Sequence, residues 1–137
     1  MKINELYIGQ SYSLSKEFSS EEVQQFAALS MDNNPLHLDD EFASKNLFGA
    51  KIVHGYLTSS LFSAIIGTKL PGFGSIYLKQ DLNFKRPIFH NELVTATVTI
   101  EKIQIEKSIV YLNTVCKKSD GSIAIDGSAI VKLVENK

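Results

Sequence analysis

Tryptophan is absent from this chain, cysteine occurs once and proline three times. A single cysteine, Cys116, excludes an intramolecular disulfide. No apolar run approaches the roughly 18 residues of a membrane span. Neither sign of charge dominates: 14 Lys and Arg stand against 15 Asp and Glu, a formal net charge of -1. That balance argues against nucleic acid as a partner, because phosphate contacts call for a basic excess. A local basic patch for a small phosphorylated ligand stays open. The first residues, Met1-Lys2-Ile3-Asn4-Glu5-Leu6, lack the apolar stretch of a secretory signal. A cytoplasmic protein without membrane contact is expected. The 137 residues suit a single domain over 1–137, which at this size buries roughly two-thirds of its unfolded surface.

Along the chain, residues 12–18 alternate as a half-buried strand does, with Tyr12, Leu14 and Phe18 on one face. Ser19 and Glu22 have capping-box spacing, and Phe18 with Val23 matches a hydrophobic staple, so a helix opens there. Val23, Phe26, Ala27 and Ser30 mark its inner face, and Pro35 is expected to stop it. A short helix over 39–47 begins at Asp39 or Asp40. A third helix runs from about Gly55 to Ile66 with no charged residue, so burial on most sides is expected. Strands follow over 75–84, 93–103, 109–117 and 122–134, and Ser119-Asp120-Gly121 signals a hairpin. Gly127 within the last strand suggests a bulge or tight bend. The expected class is α+β, an antiparallel sheet wrapped round a central helix.

Chemistry concentrates in Ser30-Met31-Asp32-Asn33-Asn34-Pro35-Leu36-His37-Leu38-Asp39. In an unbroken helix, residues five apart diverge by about 140°. A break at Pro35 lets the chain fold back and bring Asp32 and His37 together. Asp32 would then sit at a helix C-terminus, where the macrodipole disfavours a carboxylate that has no purpose there. Farther on, Val53-His54-Gly55 opens the uncharged helix, whose start offers unpaired N–H groups and a glycine that admits close approach. Hydration of an enoyl thioester needs this combination: activated water, a proton for Cα, and stabilisation of enolate charge on the thioester oxygen.

Residues 26–87 resemble the MaoC-like, R-specific enoyl-CoA hydratases (the hydratase 2 family) of hot-dog fold. The stretches that carry this are Phe26–Ser30, Asp32–Asp39, Ile52–Gly55, Leu70–Leu78 and Phe84–Pro87. The Asp-x-Asn-Pro-x-His element gains specificity from the His-Gly helix start that follows about 17 residues on. The chain is most similar to the small members that supply R-3-hydroxyacyl-CoA for polyhydroxyalkanoate synthesis. The resemblance implies a hydro-lyase with Asp32 and His37 as the catalytic pair, Gly55 as the oxyanion-hole N–H, and Asn34 and Ser63 in support. It implies a homodimer with edge-joined sheets, syn addition giving the R product, and no metal. No separate cofactor is implied, since coenzyme A is part of the acyl-CoA substrate. Met31 stands where many members carry glycine, and Asn91-Glu92 replaces a Gly-Asp turn.

Candidate acyl walls are Leu57, Leu61, Ile65, Ile66 and Val131, with Ile130 beside them. Lys79, Lys85 and Arg86 form the nearest approach to a phosphate cluster, or an ordinary charged surface. His54 reads as a packing or capping residue, His90 as part of a surface turn, and Cys116 as an inert core thiol. Three histidines invite a metal reading, but no paired-ligand spacing accompanies them. The serines of the uncharged helix lack a Gly-x-Ser-x-Gly elbow. Rival functions are a dehydratase acting on acyl carrier protein, a thioesterase of the same fold, and a non-catalytic acyl-CoA-binding module.

Overall fold

The computed structural model describes residues 1–135. Strand β1 spans Ser11–Glu17, followed by helix α1 over Ser20–Ser30, α2 over Pro35–Leu38, α3 over Asp40–Ser44 and α4 over Gly55–Thr68. Five strands complete the chain: β2 Ser75–Gln80, β3 Asn83–Phe84, β4 Leu93–Gln104, β5 Ile109–Lys118 and β6 Ile123–Leu133. All pairings are antiparallel in the order β1-β4-β5-β6-β2, with β3 also on β6. None of the helices in the described residues is long and apolar enough to cross a membrane.

The sheet curls round α4. On α4, Leu61, Phe62, Ile65 and Ile66 are buried, and they meet Val94, Ala96, Val98, Ile100, Val110, Leu112, Ala129 and Val131 from the strands. Each fully buried side chain of this size contributes about 1.5–3 kcal/mol, which makes α4 the element the fold is built on. Its opposite face is a correction to the expectation from its uncharged sequence: Tyr56, Ser60, Ser63 and Ala64 are exposed.

The start of α1 follows its local signals. Ser19 Oγ accepts from the Glu22 N–H at 3.1 Å and the Glu22 carboxylate accepts from the Ser19 N–H at 3.0 Å. Its end does not. The helix closes at Ser30, before Pro35, because Met31 turns left-handed at φ 69°. Pro35 begins the one-turn helix α2 instead, at the position where its missing N–H costs nothing. Ser30 is exposed and leaves the expected inner face to Val23, Phe26 and Ala27. The two positions that depart from the resemblance share one backbone state. Asn91 is also left-handed, at φ 63°, and asparagine tolerates that region whereas methionine there costs about 1 kcal/mol.

Two further expectations change. The strand expected over 75–84 is two strands, with a register shift between Tyr77 and Lys79. Gly127 is not a bulge: its pairing with Thr114 sits inside unbroken register. The glycine is there because the Asp81 carbonyl crosses it, leaving no room for a Cβ.

Candidate active site

Met31 and Pro35 reverse the chain between α1 and α2. Asn34 caps α2, its side-chain oxygen accepting from the Leu36 N–H at 3.1 Å, and so sets the turn on which His37 rides. The His37 ring is buried, and its Nδ1 lies 2.8 Å from the Ile52 carbonyl. A carbonyl only accepts, so Nδ1 carries the proton and Nε2 presents a lone pair. Asp32 is exposed, and its carboxylate lies within 4.8 Å of donor atoms of both His37 and His54. The expected pair is therefore assembled, with an imidazole of fixed tautomer beside a carboxylate open to solvent.

The segment Ile52–Gly55 links this pair to α4. The Val53 N–H donates to the Ile88 carbonyl at 2.7 Å, which pins the segment to the chain leading into β4. Ile52, Val53 and Gly55 line an apolar cavity of about 290 Å³, while the His54 ring packs against His37. Gly55 opens α4, so the N–H groups of the first turn have no helical acceptor. Ser59 Oγ donates to the Gly55 carbonyl at 2.7 Å and stiffens that turn. A Cβ on Gly55 would lie 2.6 Å from Cδ1 of Phe84, which closes one side of the cavity.

Asp32, His37 and His54 are also the one group whose donor atoms cluster as metal ligands would among the described residues. The rings oppose that use. They stack with centroids 3.9 Å apart and planes 28° apart, so their lone pairs lie in two nearly parallel planes, whereas an ion about 2.0–2.1 Å from both nitrogens has to lie close to both planes.

The remaining expected residues divide. Lys85 and Arg86 reach the cavity, Lys85 with its Nζ 2.8 Å from the Asp126 carboxylate and Arg86 donating to the Ile123 carbonyl at 2.9 Å. Lys79 lines a separate groove with Tyr56, Ser59, Tyr77 and Gln80. Ser63 is exposed two turns along α4 from Gly55, about 12 Å by helical rise. Ile65, Ile66 and Val131 are 0–1% exposed core residues and not walls of the cavity beside Gly55. Leu57 and Leu61 line a different shallow site, next to Phe26 and Leu29. The walls that sequence reasoning missed are Phe48, Ile52, Val53, Tyr56, Thr58, Phe84, Pro87, Ile88 and Ile125. The apolar Ile52-Val53 step before His54 was their one local signal.

Histidine and cysteine elsewhere behave as their burial dictates. His90 belongs to a turn but is half-buried rather than at the surface, with Nδ1 2.8 Å from Ser20 Oγ. Desolvation, then the nearby Lys51 charge, lowers its proton affinity. Cys116 is fully buried, and desolvation pushes its thiol up to about 12.

The MaoC like domain matches residues 4–120. The (R)-specific enoyl-CoA hydratase of Aeromonas caviae is 48% identical over 133 residues, which is 97% of this chain and 99% of that protein. This chain belongs to the MaoC-like family. The solved (R)-hydratase from A. caviae involved in PHA biosynthesis superposes with a TM-score of 0.92 at 49% identity, covering 94% of this chain and 98% of that one. The sheet curled round α4 is thus the hot-dog fold of MaoC-like hydratases. A mitochondrial 3-hydroxyacyl-[acyl-carrier-protein] dehydratase of Solanum lycopersicum is 39% identical over 132 residues, 95% of this chain and 79% of that protein.

Proposed function

We propose that this chain is an R-specific enoyl-CoA hydratase, equally a 3-hydroxyacyl-CoA dehydratase in the reverse direction. The observation that carries the reading is the Asp32 carboxylate and the His37 imidazole held together beside the free N–H groups of Gly55 and its neighbours. Water bound between Asp32 and His37 Nε2 loses a proton to the pair as its oxygen bonds to Cβ. The electron pair of the double bond moves toward the thioester oxygen, where the Gly55 N–H stabilises it. A proton returned from the pair to Cα completes the addition. Because one pair handles both steps, oxygen and hydrogen arrive on the same face, giving syn addition. No metal or separate cofactor takes part. Loss of the conjugated enoyl absorbance of crotonyl-CoA on adding the protein tests this directly; no turnover with crotonyl-CoA or a longer enoyl-CoA would refute it.

The apolar cavity beside Gly55 has Lys85 and Arg86 in its lining, a combination that suits a thioester arm ending in phosphates. Lys85 is already neutralised by Asp126, whose carboxylate Lys85 and Asn83 hold below the usual range. Arg86 spends one N–H on Ile123 and keeps others for a ligand. Arg86→Ala is therefore expected to raise KM for crotonyl-CoA about fivefold, equivalent to about 1 kcal/mol for an exposed charged contact. Lys85→Ala should change it less, and neither should alter KM for crotonyl-pantetheine. Equal effects on both substrates would remove the phosphate role.

The relative acting on acyl carrier protein supports a second substrate reading. Faster turnover of crotonyl-acyl carrier protein than of crotonyl-CoA at equal concentration would select it.

A homodimer completes the proposal. Strand β2 is a sheet edge with Ile76, Leu78 and, across the groove, Tyr56 and Phe84 all at least half exposed. An unpaired apolar edge invites pairing, and a second copy offers the same edge. Light scattering at micromolar concentration should give twice the chain mass, and a monomer would exclude it.

A further inference from the structure

His54 belongs to no step above, yet it contacts both the Asp32 turn and the His37 ring. It is 2% exposed and immediately precedes Gly55. Its Nε2 donates to the Asp32 backbone carbonyl at 3.0 Å, which fixes the proton on that nitrogen. One ring face stacks on His37 at 3.9 Å, and Phe26 of α1 packs against the ring in a T-shape at 4.8 Å. Nδ1 is buried without a partner among the described residues. So one side chain at the N-cap of α4 binds the turn that carries Asp32, the ring of α2 and the inner face of α1.

We propose that His54 is a positioning residue: as a neutral Nε2–H imidazole it ties the Asp32 turn and the His37 ring to the first turn of α4. The water-activating pair and the Gly55 N–H then share one rigid frame. This rests on the reading of Asp32 and His37 as the catalytic pair.

The chemistry requires the neutral form. Burial lowers the proton affinity of His54 below the usual histidine range; the Asp32 carbonyl opposes this, the His37 charge adds to it, and the Asp32 carboxylate opposes it. A protonated His54 would lie face to face with the ring that has to accept a proton from water. It would also bury an Nδ1–H with nothing to receive it. The same depression makes the unfolded chain the better proton binder as pH falls through 6.5, the ordinary histidine value. Stability contributed by neutral His54 is therefore full above that pH and is lost below it.

Two variants separate the contacts. His54→Phe keeps a ring on His37 and loses the donor to Asp32; His54→Gln keeps an amide donor near Nε2 and loses the ring. Each is expected to lower kcat for crotonyl-CoA by about 10- to 100-fold, the cost of misplacing reacting groups by about an ångström, with KM within about threefold. In an Asp32→Asn background the same substitutions should cost less than about twofold more, because groups acting as a unit are lost together. If His54→Phe fails to fold, His54→Gln supplies the same comparison. Wild-type kcat in a folded variant would overturn the proposal, and so would an equal loss in both backgrounds, which is the pattern of a purely structural residue. Full activity in Asp32→Asn alone would instead overturn the catalytic reading beneath it.

Discussion

Asp32→Asn should lower turnover of crotonyl-CoA by about 10²–10⁴-fold, and His37→Ala by a similar factor, the usual loss for a general acid or base. The two residues are unequal structurally, which makes the comparison informative. Asp32 is exposed, so replacing its carboxylate by an amide of the same shape should leave stability within about 0.5 kcal/mol. His37 is buried, hydrogen-bonded to Ile52 and stacked on His54, so its removal should cost about 1–2 kcal/mol as well as activity. If lost activity merely tracked lost stability, only His37→Ala would be impaired. A large fall in both, with Asp32→Asn melting like the parent, is the signature of chemistry. The double variant should be little worse than the poorer single one, since one water needs both groups. Near-parental turnover in either single variant would remove that residue from the mechanism.

How much of this was legible in the sequence depends on the range of the interactions. The start of α1 needs only Ser19, Glu22, Phe18 and Val23, all within one turn, and the structure contains that cap. Its end needs a left-handed residue, which glycine announces and Met31 conceals, so Pro35 drew the boundary instead. The alternation of β4 marks its core face because Val94, Ala96, Val98 and Ile100 all point to α4. Asp32 and His37 could be brought together from a motif and a break in the helix. The stack of His54 on His37 could not, because it depends on how the start of α4 seats beneath α1, and no periodicity encodes that. The cavity walls were least legible, for a chemical reason. A side chain facing a cavity and one facing the core are both apolar, and only packing separates Ile88 and Phe84 from Ile65 and Val131.

Packing also sets the largest expected effect on stability. Gly127 lies in β6 where the carbonyl of Asp81 passes over the strand, and an added Cβ would lie 2.8 Å from that carbonyl carbon, with the oxygen nearer still. Relief would require Asp81 to withdraw, but Asp81 is fastened to the neighbouring residue. Its N–H donates to the Ser128 carbonyl at 2.9 Å, and its carboxylate accepts from the Ser128 N–H at 3.1 Å and from the Ser128 hydroxyl. Moving it breaks those bonds and shifts the connection into β3, which carries Phe84 to the cavity. Gly127→Ala should therefore cost about 3 kcal/mol, the upper part of the range for overpacking. For a chain of this length that is a fall in Tm of about 10 °C. Gly67→Ala is the contrasting substitution. Gly67 lies within α4 with nothing within 4 Å of its added Cβ, so alanine should stabilise by about 0.5–1 kcal/mol through helix propensity alone. Calorimetry of the two variants beside the parent reads both signs. A Gly127→Ala protein melting within about 2 °C of the parent, less than 1 kcal/mol on the same scale, would mean that Asp81 yields freely and that the crossing does not constrain this strand.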